Sequence, residues 1–176
     1  MEELIKIDSN FSEAKFKTNV DNIFIKLHMA VMLKDLDRVK HFISDSLYEK
    51  YTKIIEELKT KNLIEMYDEL NVASTEITKV DIREDKYVIE VQIKSKCMNY
   101  YIDSDTKRFV SGNNTRREEK MSYLRFEKVR DYINQSSARK CPSCGANIDV
   151  NNNGKCKYCG TTYNLKDYDW ILVNIE

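Results

Sequence analysis

Four cysteines in two closely spaced pairs are the residues of this sequence best suited to chemistry. Cys141 and Cys144 form one C-x2-C unit, and Cys156 and Cys159 form a second one, with eleven residues between the two units. Two intervening residues let both sulfurs of a pair turn toward one point, so four thiolates can enclose one Zn2+ tetrahedrally. Four sulfur ligands leave no open position for water or substrate. The spacing therefore predicts one structural zinc ion per chain.

The residues around these pairs favour two hairpins. Gly145 and Gly160 follow the second cysteine of each pair, where such turns often need a positive φ. Asn153 and Gly154 lie between the pairs and form a strong hairpin signal. The pattern predicts a zinc ribbon over residues 141–176, a segment short enough to need metal for its stability. Two disulfides or a redox pair are the alternatives, and two C-x2-C units favour metal binding over both.

Composition and charge narrow the class of protein. The chain has 176 residues, with 29 basic and 29 acidic side chains. This balance gives no overall field that would attract nucleic acid or an anionic membrane. The sequence opens with MEELIKIDSNF, which has neither the basic start nor the apolar core of a secretory signal. No apolar run reaches the ~18 residues of a membrane span. We expect a cytoplasmic protein, and peripheral membrane association stays open.

The part of the chain that precedes the cysteine pairs begins with predicted helices. Apolar residues recur every three or four positions over residues 16–31, which predicts a helix with Asn10 as its N-cap. A second, short helix is predicted within residues 36–43. Ser46 and Glu49 form a capping-box pattern that predicts the start of a third helix.

Strands follow the helices. Residues 87–93 alternate in polarity, which predicts a strand with one wet face. Residues 71–82 predict a preceding strand, joined to it by a turn at 83–86, and residues 120–130 predict another. The last strand, within 168–175, is apolar on both sides, so we expect it to pack on the main domain. Helices first and hairpin strands second predict an α+β fold, with the helices on one face of an antiparallel sheet.

The order of motifs along the chain supports a family resemblance. The helical segments FSEAKF and VDNIFIKLHMAVMLKDLDRVKHFISDSLYEKY precede the strands, and CPSCGANIDV, GKCKYCG and YDWILVNI follow them. This order resembles bacterial Tim44-like proteins with a C-terminal zinc ribbon. The resemblance implies a cone-like fold of the nuclear-transport-factor-two-like (NTF2-like) type, with an apolar pocket. It divides the chain into an α+β domain over 1–133, a linker over 134–140 and the ribbon over 141–176.

The pocket implied by the resemblance has six candidate lining residues. They are Met29, Met32, Tyr100, Tyr101, Tyr123 and Phe126. The favoured hypothesis is a non-enzymatic binding or scaffold module for a lipid, an apolar small molecule or a protein segment, associated with transport or a membrane. The sequence names neither the partner nor the oligomeric state.

Two other function classes stay open. The first is an enzyme of the cone-fold isomerase or dehydratase type, but no spacing ties His28, His41, Asn99, Tyr100 and Asp103 into an acid–base pair. We therefore assign no catalytic residue. The second is a nucleic-acid-binding zinc ribbon, although basic and acidic residues nearly balance in the C-terminal segment. The remaining cysteine, at position 97, is expected on the apolar face of its strand.

Overall fold

The structure is a computed structural model that describes residues 11–130, 146, 156–160 and 170–176. Two α-helices come first, α1 (Glu13–Leu33) and α2 (Asp45–Thr60), with a short 3-10 helix (Leu36–Arg38) between them. Five strands follow: β1 (Leu63–Ile82), β2 (Lys86–Asp103), β3 (Phe109–Gly112), β4 (Glu118–Val129) and β5 (Ile171–Ile175). Two N-terminal helices thus pack on a curved antiparallel sheet, which confirms the predicted α+β class.

Helix α1 follows the predicted apolar stripe. Its buried side includes Phe16, Val20 and Leu27, which recur at helical spacing. The helix begins after Ser12, whose side chain accepts a hydrogen bond from the Lys15 amide at 3.4 Å. The predicted cap, Asn10, lies outside the described residues.

The second predicted helix is wrong, because residues 36–43 form only one 3-10 turn. Helix α2 is present, but its N-cap is Ser44 rather than Ser46. The Ser44 hydroxyl accepts from the Leu47 amide at 3.2 Å. Ser46 is the second residue of the helix, and its hydroxyl lies 3.0 Å from the hydroxyl of Ser44. A serine at either position can serve as the N-cap, so the sequence alone did not decide at which residue this helix begins.

The sheet has the strand order β1-β2-β4-β5, and β3 pairs with the far end of β2. The turn predicted between β1 and β2 is confirmed. Strand β1 is longer than predicted, because it begins at Leu63 and pairs with β2 over its whole length, with three register irregularities. Its first half brings Glu65 opposite Tyr101 and Tyr67 opposite Asn99.

Strand β5 is part of the same sheet as the other strands. It pairs with β4, and on its other side Leu172 bridges Ile43 in the segment before α2. The Leu172 amide donates to the Phe42 carbonyl at 2.9 Å, and the Ser44 amide donates to the Leu172 carbonyl at 2.9 Å. The C-terminal strand thus closes the core. The division into domain, linker and ribbon stays a prediction, because most of residues 131–169 lie outside the described part.

The core lies between α1 and the middle strands. Phe16 of α1 packs edge-on against Phe126 of β4 at 5.6 Å between ring centroids and against Trp170 at 5.1 Å. Phe126 and Leu172 are fully buried. Aromatic burial of this kind supplies much of the apolar area that stabilises a domain.

Candidate functional site

A cluster of polar rings lies where the two helices cross the first half of β1. His28 comes from α1, Tyr51 from α2, Tyr67 from β1 and Tyr101 from β2. The His28 ring stands edge-on to the Tyr67 ring at 4.6 Å, with an interplanar angle of 88°. All four side chains are part-exposed, whereas the neighbouring core residues Phe24 and Leu27 are buried. We call these four residues with Glu65 the ring cluster.

Glu65 is the carboxylate that the ring cluster shares. It lies opposite Tyr101 in the β1–β2 register, and Tyr67 follows it by two residues on the same side of β1. The charge of this carboxylate acts on Tyr67 and Tyr101 and raises the pKa of both hydroxyls. Asn99 donates its side-chain amide to Glu65 Oε1 at 3.2 Å and to the Met66 carbonyl at 3.1 Å. Glu65 thus accepts from the Asn99 amide and lies near two phenols between the helices and the sheet.

His28 is fixed in one tautomer. Its Nδ1 lies 2.8 Å from the Phe24 carbonyl oxygen, which can only accept, so Nδ1 carries the proton. Burial lowers the pKa of His28, and the Lys120 charge also lowers it, against the opposing effects of the Phe24 bond and Glu65. The imidazole is therefore neutral at pH 7. Its Nε2 is left as a hydrogen-bond acceptor.

The three tyrosines are held in their neutral form. Burial raises the pKa of Tyr51 to about 12, with a further contribution from the charge of Glu65. Burial and Glu65 also raise the pKa of Tyr67 strongly, and the pKa of Tyr101 is raised by the same causes. These rings therefore act as hydrogen-bonding and apolar surfaces, and not as phenolate bases, near neutral pH.

The six predicted pocket residues do not share one face. Tyr100 and Tyr101 are consecutive in a strand, so their side chains point to opposite sides of the sheet. Tyr101 joins the ring cluster, whereas Tyr100 bonds Asp68 and packs near Phe109 on the other side.

The other four candidates lie in different surroundings. Phe126 is fully buried in the core, and Tyr123 is 55% exposed. Met29 is 48% exposed on α1. Met32 is part-exposed and lies one helical turn after His28, on the side of α1 that carries the ring cluster. Of the six predicted pocket residues, Tyr101 and Met32 are thus the two that lie on the side of the ring cluster.

The residues weighed for an acid–base pair are also separated. Asp103 caps the turn after β2, where its carboxylate accepts from the Thr106 amide at 2.7 Å and the Asp105 amide at 3.1 Å. These bonds hold the pKa of Asp103 below its usual value. Tyr100 lies across the sheet from His28, so neither Tyr100 nor Asp103 reaches this histidine. His41 is part-exposed and lies in the segment before α2.

Two of the four predicted zinc ligands lie in the described residues. Cys156 is 3% exposed, and Cys159 is exposed. Between them the chain makes a tight turn, in which the Gly160 amide donates to the Cys156 carbonyl at 2.8 Å and Gly160 has φ +70°. Such a turn brings the two sulfurs of a C-x2-C unit toward one side, which suits zinc.

The other two ligands, Cys141 and Cys144, lie outside the described residues, as do the hairpin residues Asn153 and Gly154. Among the described residues no three metal-ligating side chains meet. Zinc at the four cysteines stays a prediction. Cys97 is buried on β2, and burial raises the pKa of its thiol.

Sequence reasoning missed Glu65 and Tyr67. Residues 63–70 carry no apolar alternation, so no strand was predicted there. The sequence signal that could have pointed to the cluster was the presence of three tyrosines and His28, because their hydroxyls and ring nitrogens need hydrogen-bond partners when buried.

Two helices on a curved antiparallel sheet, with a cluster of partly exposed polar rings between them, define a small α+β domain. The chain belongs to the Tim44-like domain family, whose model matches residues 1–138. Tim44-like domains are typical of membrane-associated or transport-related binding modules. This confirms the Tim44-like family named from the sequence motifs, whereas the zinc ribbon, the NTF2-like cone and the bacterial origin stay predictions.

Other comparisons add little. No curated protein matches the chain. Among solved structures, the chain is similar to the crystal structure of the intermembrane space region of the chloroplast protein ARC6, at 9% identity and a TM-score of 0.47. That match covers 91% of this chain and 94% of the other. No helix in the described part is long and apolar enough to cross a bilayer.

Proposed function

We propose that this chain is a non-enzymatic binding module, and that the cleft at the ring cluster is where its ligand sits. The observation that carries this proposal is that the side chains of the ring cluster are only partly buried. His28, Tyr51, Tyr67 and Tyr101 have part-exposed rings, and the charge of Glu65 acts on all four. Side chains that served packing alone would be buried and apolar, as their neighbours Phe24 and Leu27 are.

The cleft combines two kinds of surface. Its apolar part is the partly exposed rings themselves, of which His28 packs on the buried core residue Phe24. Its polar part is Glu65 with the tyrosine hydroxyls and the acceptor nitrogen of His28. The ligand that matches both is amphipathic, such as a lipid, a small molecule with an apolar tail or a protein segment. This replaces the purely apolar pocket expected from the sequence with an apolar pocket that has a polar floor.

The family supports a role near a membrane or in transport, without naming the partner. We further propose that Cys141, Cys144, Cys156 and Cys159 hold one structural zinc ion. The positive φ of Gly160 and the tight turn before it support this assignment. Zinc would stabilise the C-terminal segment, and would supply no open coordination position for chemistry.

An enzyme of the isomerase or dehydratase type is the second candidate. The neutral His28, with Nε2 able to accept a proton, is the one observation that favours it. Acid–base catalysis needs a second group to give or take the proton, and the ring that packs against His28 is that of Tyr67, whose raised pKa keeps it neutral. Binding is therefore the better supported function.

The test is binding of octyl glucoside, an uncharged amphiphile, measured by isothermal titration calorimetry below its micelle concentration. Tyr67→Ala removes a ring from the cleft, and Tyr123→Ala removes an exposed ring from the other side of the sheet as a matched control. We expect Tyr67→Ala to weaken binding by tenfold or more and Tyr123→Ala to leave it unchanged. Equal affinities in wild type and Tyr67→Ala, with circular dichroism showing an intact fold, would place the ligand elsewhere.

A further inference from the structure

Two buried aliphatic side chains lie on the side of the sheet that faces away from the helices. Val88 and Ile171 are each 2% exposed. Val88 of β2 and Ile171 of β5 both pair with Glu127 of β4, so the three residues form one row across the sheet. Their chain neighbours Ile89 and Leu172 point into the core, so this row points to the opposite side. We call these three residues the outer row.

The described helices do not account for this burial. Both helices contribute to the core cluster on the other side of the sheet, and neither Val88 nor Ile171 belongs to that cluster. Apolar residues elsewhere on the outer side stay in water, since Tyr123 is 55% and Val129 51% exposed. An aliphatic side chain on an uncovered sheet face would be exposed in the same way. The burial of the outer row is therefore local and needs a local cover.

Arg125 is a second sign of this cover. It pairs with Glu90 and Asn174, so it lies next to the outer row on the same side of the sheet. One of its terminal nitrogens lies 3.4 Å from the Glu127 carboxylate. Its Nε, however, is buried and has no hydrogen-bond partner among the described residues. An arginine on a bare sheet keeps its nitrogens in water. A buried donor without a partner therefore points to acceptor groups that lie over it.

The chain leaves and re-enters the sheet beside the outer row. Strand β4 ends at Val129, two residues after Glu127, and the chain returns at Trp170, directly before Ile171. Residues 131–169, most of which lie outside the described part, join these two points. Paired neighbouring strands need a loop of only roughly two to five residues. The segment is several times longer than that, so it has ample length to lie on the sheet.

The described piece of this segment packs against another part of the protein. Cys156 is 3% exposed, whereas residues 157–160 are exposed. A single turn is too small to bury one of its own side chains. Cys156 therefore lies against residues outside its own turn.

We propose that residues 131–169 pack on the outer side of the sheet, over the outer row. Burial of Val88 and Ile171 drives this packing, and an acceptor from the segment pairs with the Nε of Arg125. The proposal does not depend on the ring cluster, which lies on the helix side of the sheet. It gives the cysteine pairs a place on the opposite side, so metal and ligand would bind on different faces.

The test is cross-linking of the full chain with a short lysine-reactive linker, read by mass spectrometry. Lys79 and Lys86 lie on the outer side of the sheet near the outer row. Lys53 and Lys59 lie exposed on α2 and serve as matched controls. The lysines of the segment are Lys140, Lys155, Lys157 and Lys166. We expect these to link to Lys79 or Lys86 at least tenfold more often than to the controls. A mixture of unlabelled and isotope-labelled protein separates links within one chain from links between copies.

A variant gives an independent readout. Val88→Lys places a charge in the outer row and should expel the segment, so limited proteolysis within residues 131–169 should become at least tenfold faster. Gln92→Lys changes the same side of the same strand, next to the exposed ring of Tyr123, and should leave the rate unchanged. Circular dichroism checks that both variants are folded. If Val88→Lys does not fold, the cross-links of the wild type still decide.

Three results would overturn the proposal. Links from Lys79 and Lys86 that join only different copies would show that a second copy covers the outer row. Links from the segment to Lys53 and Lys59 alone would place the segment on the helices. No link from Lys79 or Lys86 to the segment, with unchanged proteolysis of Val88→Lys, would mean that the charged side chains beside the outer row are its only cover.

Discussion

Leu172 offers the sharpest test of whether the C-terminal strand is part of the folding unit. Its side chain is fully buried, it lies opposite Phe126 in β4, and its backbone bonds the segment before α2. Leu172→Ala removes the side chain from a site that backbone bonds on two sides keep from collapsing. A buried Leu→Ala change of this kind costs about 3 kcal/mol. With a urea dependence of about 2 kcal/mol per molar, the unfolding midpoint should fall by about 1.5 M.

Two probes make this prediction specific. Trp170 is the only tryptophan of the chain, and its ring packs against Phe16 of α1 at 5.1 Å. Urea unfolding is followed by Trp170 fluorescence and by helix circular dichroism, and both midpoints should fall together. Val110→Ala, at a position 49% exposed on β3, is the control and should change stability by less than about 0.5 kcal/mol. If Leu172→Ala moves the fluorescence midpoint and leaves the helix midpoint in place, β5 is an appendage and the reasoning fails.

Three further predictions concern the metal and the buried titrating groups. Cys156→Ser should abolish stoichiometric zinc in elemental analysis of reduced protein, whereas Cys97→Ser should retain it; zinc that survives Cys156→Ser refutes the ligand set. The pKa of His28 is lowered in the folded state, so its stabilising effect is present above pH 6.5 and is lost as pH falls. Wild type should therefore lose more stability than His28→Gln between pH 7 and 5 in urea titrations, and parallel losses would argue against a buried neutral imidazole. Because the pKa of Tyr51 is raised to about 12, its contribution is present below pH 10 and is lost between pH 10 and 12. Tyr51→Phe should flatten that alkaline loss in the same assay, and an unchanged profile would contradict the assignment.

The parts of the fold that could be predicted are those where packing alone decides the residue types. Residues 87–93 alternate because one side of β2 faces the core, and Ile89 and Ile93 are fully buried. The apolar side of α1 could be predicted from the sequence for the same reason. The helix starts were less certain, since Ser44 and Ser46 both satisfy the local pattern and only the tertiary position of the chain selects Ser44.

The residues of the candidate site could not be predicted in this way. Tyr100 and Tyr101 were grouped by residue type, although adjacent strand residues cannot line one pocket. His28 was noted in the sequence without a partner, because its neighbours Tyr67 and Glu65 lie on a strand that was not predicted. Bringing these residues together requires the β1–β2 register, which depends on pairing over the full length of two long strands.

The failure to predict the first half of β1 is itself informative. A strand is recognised by apolar residues on its covered side, and in residues 63–70 the side toward the helices carries Glu65 and Tyr67. Packing would place apolar side chains there, as it does on β2 at Ile89 and Ile93. A polar residue facing inward lowers stability unless it is hydrogen-bonded, and Glu65 accepts a hydrogen bond from the Asn99 amide that offsets part of that cost. Positions where local pattern and fold disagree are expected at functional sites. The same residues that hid the strand from the pattern are thus the ones that point to the cleft as the binding site.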